Sequence, residues 1–504
     1  MPSCGDISAM ATAEQQLRRG KLERLRTGAK LRTLEICSGA GGLSLGLATA
    51  GFELTAHVEM DREAAESYAL NFGGDRAADD PWALPRNMEH CSADDLVSEL
   101  GLKTPTSSAF DILAAGLPCQ AFARIGRSKL RAEAGGEEDA FQKDPRAALY
   151  RRFLDYVTAT QPLVIIIENV PDILNFGGHN VPEEICDTLE EWGYRTAYTI
   201  LNAAYYGVPQ VRERLFVVAF ADVLDIAPTF PAPTNFLELP RGYEGSRRVA
   251  LKHVDKESGR FHEIHKPSRR LPKAVGVRAA LGDLPKIKEH ATDPKIIRRR
   301  KLDDGLPYRT PKGGLSAYAQ LMRNWAGFET QGEAGGHLVR LTPRDFPIFR
   351  HLEHGADYPQ ALKLAEALFA EAAQDRGLTD VESDAWKDLR QSMVPPYDPA
   401  KFPNKWWKLD PLKPSRTLTA HMGKDTYSHI HYDSYQARTV SVREAARLQS
   451  FPDGFRFAGA MNAAFKQIGN AVPPLLGLAV ATSLKRQIEE VLVPAEETDG
   501  RQAA

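Results

Sequence analysis

The sequence contains no apolar run near the ~18 residues that a membrane-spanning helix needs. Its N-terminal stretch, AEQQLRRGKLERLRTGAK, has a helical pattern and mixed charge, and it lacks the apolar core of a signal peptide. Cysteine is scarce, and the five cysteines are scattered and never spaced as C-x-x-C, which argues against a disulfide framework and a zinc site. These absences predict a cytoplasmic protein with no membrane contact and no bound metal.

Net charge is also small, −2 over 504 residues, but basic residues are concentrated in one segment. Arg241–Lys301 holds 18 Lys or Arg against 7 Asp or Glu. Composition leaves two interpretations open for this segment, a solvated surface or a surface that binds nucleic-acid phosphates. The chain is too long for one compact core, and its length predicts about two to three domains.

The first half of the chain alternates strand and helix patterns, as in a doubly wound α/β sheet. Strands are predicted at LRTLEIC, FELTAHVEM, FDILAAG, PLVIIIENV and ERLFVVAF. Ligands of such sheets bind at the carboxyl ends of the strands. The unusual residues gather at those ends, namely a glycine-rich turn at Ser38–Gly42, Glu59, Pro118–Gln120, and Glu168 with Asn169.

The glycine-rich turn SGAGG is typical of a site where the backbone approaches a ligand closely. An acid at the end of the second strand, here Glu59, can accept hydrogen bonds from both hydroxyls of a ribose. Together they predict a nucleotide-like cofactor. Because the spacing is not G-x-G-x-x-G, a second interpretation remains, in which SGAGG is a tight turn that binds no ligand. Glu59 alone could simply interact favourably with the dipole of the following helix.

Cys119 is a candidate nucleophile because it follows Pro118 at this edge and precedes a polar segment, RAEAGGEEDAFQKD, that could close as a lid. The alternative is inert packing, which is the usual role of a buried cysteine. Glu168 ends the apolar run IIIENV, where burial would raise its pKa and let the neutral acid donate a hydrogen bond. The alternative for Glu168 is a solvated strand end.

Several motifs occur in the order and spacing of the DNA (cytosine-5)-methyltransferase family, which the chain resembles: GLPCQ, ENV, VPQVRERLF, SVREAARLQSFPDGF and KQIGNAVPP. The resemblance covers about Leu31 to Phe220 and about Arg438 to Leu484. It implies an α/β, Rossmann-like, S-adenosyl-L-methionine-dependent methyltransferase domain with a smaller target-recognition domain. The implied segments are an N-terminal helical extension (1–30), the catalytic domain (31–235), the target-recognition domain (236–437), a C-terminal segment returning to the catalytic domain (438–490) and a tail (491–504).

The resemblance also implies roles for single residues. The catalytic residues would be Cys119 as nucleophile, Glu168 at the ring nitrogen of cytosine, and Arg212 and Arg214 at the ring oxygen. The cofactor would be bound by Cys37, Ser38, Gly39, Ala40, Gly41, Gly42, Glu59, Met60, Asp94, Pro118, Leu149, Asn470 and Ala471. DNA would be contacted by Gln120, Asn169, Val170 and Gln210.

A few positions depart from the family pattern without touching the methyl-transfer residues. Cys37 stands where many members have Phe, and Ala123 stands where serine is common. An acid is usual where this chain has Cys91 and Ser92, which leaves Asp94 as the substitute contact to adenine.

The implied function is methylation of cytosine C5 in double-stranded DNA after base flipping, through a covalent Cys119–C6 intermediate. The protein would be the monomeric modification enzyme of a restriction-modification or related defence system, associated with the nucleoid and with cognate defence proteins. The tRNA-methylating branch of the superfamily is one alternative, but it carries a Cys-Phe-Thr tripeptide that this chain lacks. A non-catalytic DNA-binding regulator is another, and the intact Cys119, Glu168 and Arg214 argue against it.

The family context favours phosphate binding by the basic segment. SRTLTAH, at residues 415–421, is predicted to be a recognition-loop strand. PQALKLAEALFAEAAQDRG, at residues 359–377, is an amphipathic helix and is interpreted as an insertion that packs or meets a partner.

Overall fold

A computed structural model describes residues 4–77, 79–118, 145–175, 180–239, 243–423 and 427–493. The predicted site residues Cys119 and Gln120, together with Ala123, lie outside this part of the chain. The fold divides into a first compact unit (Met1–Tyr206, Glu213–Pro272 and Val472–Ala504) and a second (Gly207–Arg212 and Lys273–Ala471). Among the described residues, no helix combines the length and the apolar character that crossing a membrane requires.

The first unit is built on a mixed sheet. Its described strands are β1 (Arg32–Ile36), β2 (Glu53–Val58), β3 (Ile112–Ala115), β4 (Val164–Asn169), β5 (Tyr194–Asn202) and β6 (Glu213–Ala221). They lie in the order β2-β1-β3-β4-β6-β5. β1 to β4 run parallel, and β6 runs antiparallel to both of its neighbours. This arrangement confirms the predicted α/β class.

The central strands are buried because helices cover both faces of a parallel sheet, which favours continuous apolar runs over alternation. Every residue of β3 and β4 is buried. The described helices of this unit are α1 (Cys4–Arg26), α2 (Gly42–Thr49), α3 (Arg62–Phe72), α4 (Ala93–Glu99), α5 (Thr106–Ala109), α6 (Pro145–Thr160), α7 (Val181–Glu191) and α8 (Tyr243–Ala250).

The second unit is mainly helical. Its helices are α9 (Val277–Leu281), α10 (Glu289–Thr292), α11 (Pro294–Arg299), α12 (Ala317–Arg323), α13 (Phe346–His351), α14 (Tyr358–Asp375), α15 (Asp384–Met393), α16 (Val442–Leu448) and α17 (Met461–Asn470). Two small sheets pair β7 (Leu306–Pro307) with β8 (Glu333–Ala334), and β9 (Trp406–Lys408) with β10 (Tyr427–Ile430). The predicted insertion helix corresponds to α14, which starts at an Asp357–Gln360 capping box.

The last helix, α18 (Pro474–Leu492), belongs to the first unit and packs closely on α2. A Cβ atom on Gly46 would lie 2.4 Å from the backbone of Gly477, so the two helices approach too closely for a side chain there. The compact units differ from the predicted segments in three places, because residues 236–272 pack with the first unit, and residues 207–212 and 438–471 pack with the second. The functions assigned to the segments stay predictions.

Candidate active site and cofactor site

The carboxyl ends of the parallel strands meet at one edge of the sheet. Ile36 of β1 pairs with Val58 of β2 and with Ala115 of β3, and Ala115 pairs with Ile167 of β4. The residues at or just after the ends of these strands therefore collect at the same edge. They are the glycine-rich turn, Glu59, the turn at residues 116–118, and Glu168 with Asn169.

The glycine-rich turn has a backbone that suits a bound ligand. Gly39 and Gly41 both have positive φ values, 56° and 91°. A Cβ on Gly41 would lie 2.3 Å from the Phe72 ring, so only glycine fits against Phe72 at this position. A Cβ on Gly39 would meet nothing within 4 Å, so open space lies beside the backbone at that position.

Glu59 lies against this turn. Its Oε2 accepts a hydrogen bond of 2.8 Å from the Gly39 N–H, and its Oε1 accepts one of 2.7 Å from the Asp61 N–H. Burial raises the pKa of the Glu59 carboxyl. The next residue, Met60, is 69% exposed, which is unusual for a large apolar side chain. An open glycine backbone beside an oriented carboxylate and an exposed apolar side chain fits an adenosine-type cofactor.

Glu168 and Arg214 form an ion pair at the end of β4. The Arg214 Nε lies 2.7 Å from the Glu168 Oε1, and the two side chains are 12% and 11% exposed. Gly116 lies beside this pair, since a Cβ there would be 3.8 Å from the Glu168 Oε2. Burial favours the neutral form of a carboxyl group, whereas an adjacent guanidinium favours its ionised form. The neutral state expected for Glu168 stays a prediction.

Asn169, which was predicted to contact DNA, holds the turn that leads towards Cys119. Its Nδ2 donates to the Leu117 carbonyl at 2.8 Å, and its Oδ1 accepts from the Val170 N–H at 2.8 Å. Asn169 is buried, Val170 is half-buried and Pro118 is exposed. The amide therefore fixes the backbone immediately before Pro118 and Cys119.

Arg212 and Gln210 belong to the second unit, where both side chains are fully buried. The Arg212 guanidinium donates to the carbonyls of Leu418 (2.7 Å), Gly469 (2.8 Å) and Ala471 (3.1 Å). The Gln210 Oε1 accepts a hydrogen bond of 2.8 Å from the Leu418 N–H. These hydrogen bonds indicate that Arg212 and Gln210 hold the neighbouring backbone in place. Contact of Arg212 with cytosine, and of Gln210 with DNA, remains a prediction.

The other predicted cofactor residues have varied surroundings. Asp94 is exposed at the start of α4 and accepts a hydrogen bond from the Thr106 hydroxyl. Leu149 is half-buried in α6, and Ala40 and Gly42 are buried in the turn. Asn470 is exposed and Ala471 is half-buried, and both belong to the second unit.

Cys37, which stands where the family often has Phe, is half-buried in the first unit. Its Sγ lies 3.7 Å from the Met88 Sδ. Burial raises the pKa of Cys37 to about 12, so the thiol stays protonated near neutral pH. Cys37 is therefore suited to packing and not to nucleophilic attack.

Sequence reasoning missed a layer of buried polar residues beneath the turn. Glu35 of β1 accepts a hydrogen bond from the Ser44 hydroxyl, and Ser44 Oγ lies 2.8 Å from the Tyr68 hydroxyl. Burial raises the pKa of Glu35 to about 8. His57 of β2 lies in the same layer, stacked on Tyr68. The available signal was a single polar residue inside each of two otherwise apolar strand segments, LEI and AHV.

The fold and this site together define a Rossmann-like α/β methyltransferase. The model of the family described as C-5 cytosine-specific DNA methylase matches residues 31–486, and the chain belongs to this family. Its substrate class is DNA, and its reaction requires a methyl donor. The prediction of a DNA (cytosine-5)-methyltransferase is thus confirmed.

Two relatives are similar over nearly their whole length. The Oceanobacillus iheyensis protein M.OihORF3336P, a type II methyltransferase by name, is 37% identical over 90% of this chain and 95% of its own. The type II methyltransferase M.AgeI of Thalassovita gelatinovora is 30% identical over 90% of this chain and 99% of its own. A crystal structure of an E. coli prophage DNA modification methyltransferase has a TM-score of 0.56 at 21% identity, over 91% of this chain and 100% of that one, and supports the fold alone.

Proposed function

We propose that this enzyme flips a target cytosine out of duplex DNA and methylates C5, with S-adenosyl-L-methionine as methyl donor and Cys119 as nucleophile. The observation that carries the proposal is the Glu168–Arg214 pair, 2.7 Å apart at the carboxyl edge of the sheet. It lies beside the strand that leads into Pro118 and Cys119, and Asn169 ties the two segments together at Leu117. An acid and a guanidinium at the edge towards which the strand before Cys119 leads suit attack on a pyrimidine ring.

The chemistry begins with the Cys119 thiolate, which adds to C6 and turns C5 into a nucleophile. Negative charge then develops along the N3 and O2 edge of the ring. Glu168 as a donor to N3 and Arg214 as a donor to O2 stabilise this charge more than they stabilise the substrate. After C5 takes the methyl group, the C5 proton leaves and Cys119 is expelled from C6.

Cytosine must compete with the existing ion pair. For Glu168 to donate to N3 it has to gain a proton, whereas Arg214 contacts Glu168 through Nε and carries further N–H donors that can reach O2. The flipped base supplies both new partners at the same moment. The pair therefore keeps two buried charges neutralised until the substrate arrives.

When bound, S-adenosyl-L-methionine supplies an electrophilic methyl group on a sulfonium. Glu59 is suited to accept the ribose hydroxyls, because the Gly39 and Asp61 N–H groups already orient both of its oxygens. The open backbone at Gly39 leaves room for the ligand, and the exposed Met60 offers an apolar contact to adenine.

The role in a restriction-modification system is supported by the names of the two relatives, both type II methyltransferases. Bisulfite sequencing of a methylase-free host that expresses the gene would identify the methylated site. DNA from that host should resist an endonuclease that cuts the same sequence.

A mechanism-based trap tests the nucleophile. Fluorine at C5 cannot leave as the proton does, so duplex DNA with 5-fluorocytosine at the target should form a denaturation-resistant adduct in the presence of S-adenosyl-L-methionine. Peptide mapping should place the bond on Cys119. Cys119→Ala should form no adduct but still bind the duplex, because phosphate contacts do not need the thiol. An adduct on Cys37, Cys91 or Cys186 would overturn the assignment.

A further inference from the structure

His57 connects the glycine-rich turn to the layer beneath it. The residue lies in β2, is 1% exposed, and has a polar partner at each ring nitrogen. Its Nε2 is 2.9 Å from the Trp82 carbonyl oxygen, and its Nδ1 is 3.4 Å from the Ser38 hydroxyl oxygen. The family motifs do not include this position, and none of the roles above uses it.

The two partners determine the tautomer of His57. A carbonyl oxygen only accepts hydrogen bonds, so Nε2 must carry the ring proton. Burial lowers the pKa of His57 to about 3, which keeps the ring neutral and leaves Nδ1 as an acceptor. The Ser38 hydroxyl must then donate its proton to Nδ1.

The imidazole ring is held firmly in place. It stacks on Tyr68 with a centroid distance of 3.9 Å and an interplanar angle of 17°, and it meets Trp82 edge-on at 5.1 Å. Tyr68 also supports the turn directly, because a Cβ on Gly41 would lie 3.0 Å from its ring. The acceptor at Nδ1 is therefore fixed relative to the turn.

We propose that His57 is a positioning residue that fixes the Ser38 hydroxyl as a hydrogen-bond acceptor for the ammonium group of the cofactor's amino-acid part. The inference rests on the proposed use of S-adenosyl-L-methionine. Among the described residues, the only side-chain partner of the Ser38 Oγ is His57, and once its proton is committed only lone pairs remain for a ligand. Glu59 is matched to the ribose hydroxyls and Asp94 is the predicted contact to adenine, so the ammonium is the donor that remains for Ser38.

Two substitutions of His57 separate its two hydrogen bonds. The side chain of His57→Gln places an amide near the Nε2 position, where it can still donate to Trp82 but cannot accept from Ser38. The side chain of His57→Asn places a carbonyl oxygen near the Nδ1 position, where it can still accept from Ser38. Binding is measured with two ligands, S-adenosylhomocysteine and 5′-methylthioadenosine. The second ligand lacks the amino-acid part but keeps adenine and ribose.

Calorimetric binding to the full chain should show a selective effect. His57→Gln and Ser38→Ala should each weaken S-adenosylhomocysteine binding roughly tenfold, as expected for a hydrogen bond to a charged group. Both should leave methylthioadenosine binding within about twofold of the wild type. His57→Asn should restore most of the affinity, and the double variant His57→Gln/Ser38→Ala should bind no more weakly than Ser38→Ala alone.

Several results would overturn the inference. One is unchanged S-adenosylhomocysteine affinity in His57→Gln, and another is an equal loss for both ligands, which would indicate damage to the whole site. If His57→Gln does not fold, His57→Leu, which also removes the acceptor for the Ser38 hydroxyl, takes its place with the same two ligands. A wild-type protein that binds neither ligand would overturn the proposed cofactor as well, whereas normal wild-type binding with unaffected variants would overturn this inference alone.

Discussion

Glu168 and Arg214 form an ion pair at the end of β4, where the proposed reaction needs one proton donor and one cation. The two side chains are only 12% and 11% exposed, so removal of one takes a close opposite charge away from the other. In the proposed mechanism, cytosine offers N3 and O2 as new partners for these two side chains. Substitution of the acid should therefore affect the chemical step more than it affects cofactor binding.

Glu168→Gln should lower the single-turnover methylation rate by roughly 10²–10³-fold, because the acid acts on charge that develops only during attack. The affinity for S-adenosylhomocysteine should change little. Asp155→Asn is a matched control, since that exposed carboxylate pairs with Arg152 on the same helix and has no predicted role in the site. A single-turnover rate equal to the wild type would remove Glu168 from the mechanism.

Strand ends and turns could be predicted from the sequence because their causes are local. The apolar run of β4 and the glycines after β1 determine where the ligand edge lies. Side-chain partners could not be predicted in the same way. Arg212 and Arg214 are two residues apart in one motif, yet Arg212 bonds to backbone carbonyls and Arg214 to Glu168. His57 was missed because its partners lie 19 and 25 residues away along the chain.

Helix α11 and the residues just after it form the most basic part of the second unit. Lys295, Arg298, Arg299 and Lys301 are exposed, whereas Arg300 is partly buried, pairs with Glu289 and donates to the His337 carbonyl. The exposed cations are available to meet phosphates. Arg300 is better explained as part of the fold.

Replacement of Lys295, Arg298, Arg299 and Lys301 by Gln should weaken DNA binding. The slope of log K against log salt should fall by roughly one for each phosphate that the variant no longer neutralises. The methylated sequence should stay the same. Lys387→Gln with Arg390→Gln is the control, because these cations pair with Glu382 and Glu366. A changed target sequence at an unchanged slope would mean that α11 reads bases.

Buried neutral histidines make the whole chain sensitive to acid. Burial lowers the pKa of His57 and His337 to about 3 and that of His290 and His429 to about 4, from an ordinary value of 6.5. The unfolded chain therefore binds more protons than the folded chain below pH 6.5. The stability that these neutral histidines contribute is present above pH 6.5 and is lost as the pH falls below that value, by roughly 1 kcal/mol per histidine at pH 5.5.

His337→Leu tests this linkage most directly, because neither ring nitrogen of His337 has a hydrogen-bond partner among the described residues. The variant should keep or raise the Tm at pH 7 and should lose less Tm than the wild type between pH 7 and pH 5.5. Burial raises the pKa of Glu35 to about 8, so protonation of Glu35 stabilises the fold as the pH falls and opposes the effect of the histidines. The measurement is therefore the difference in Tm loss between His337→Leu and the wild type, and not the Tm loss of either protein alone. The exposed His351 provides the control, since His351→Gln should leave the pH dependence unaltered. If His337→Leu and the wild type lose equal Tm on acidification, His337 is not a source of the acid sensitivity.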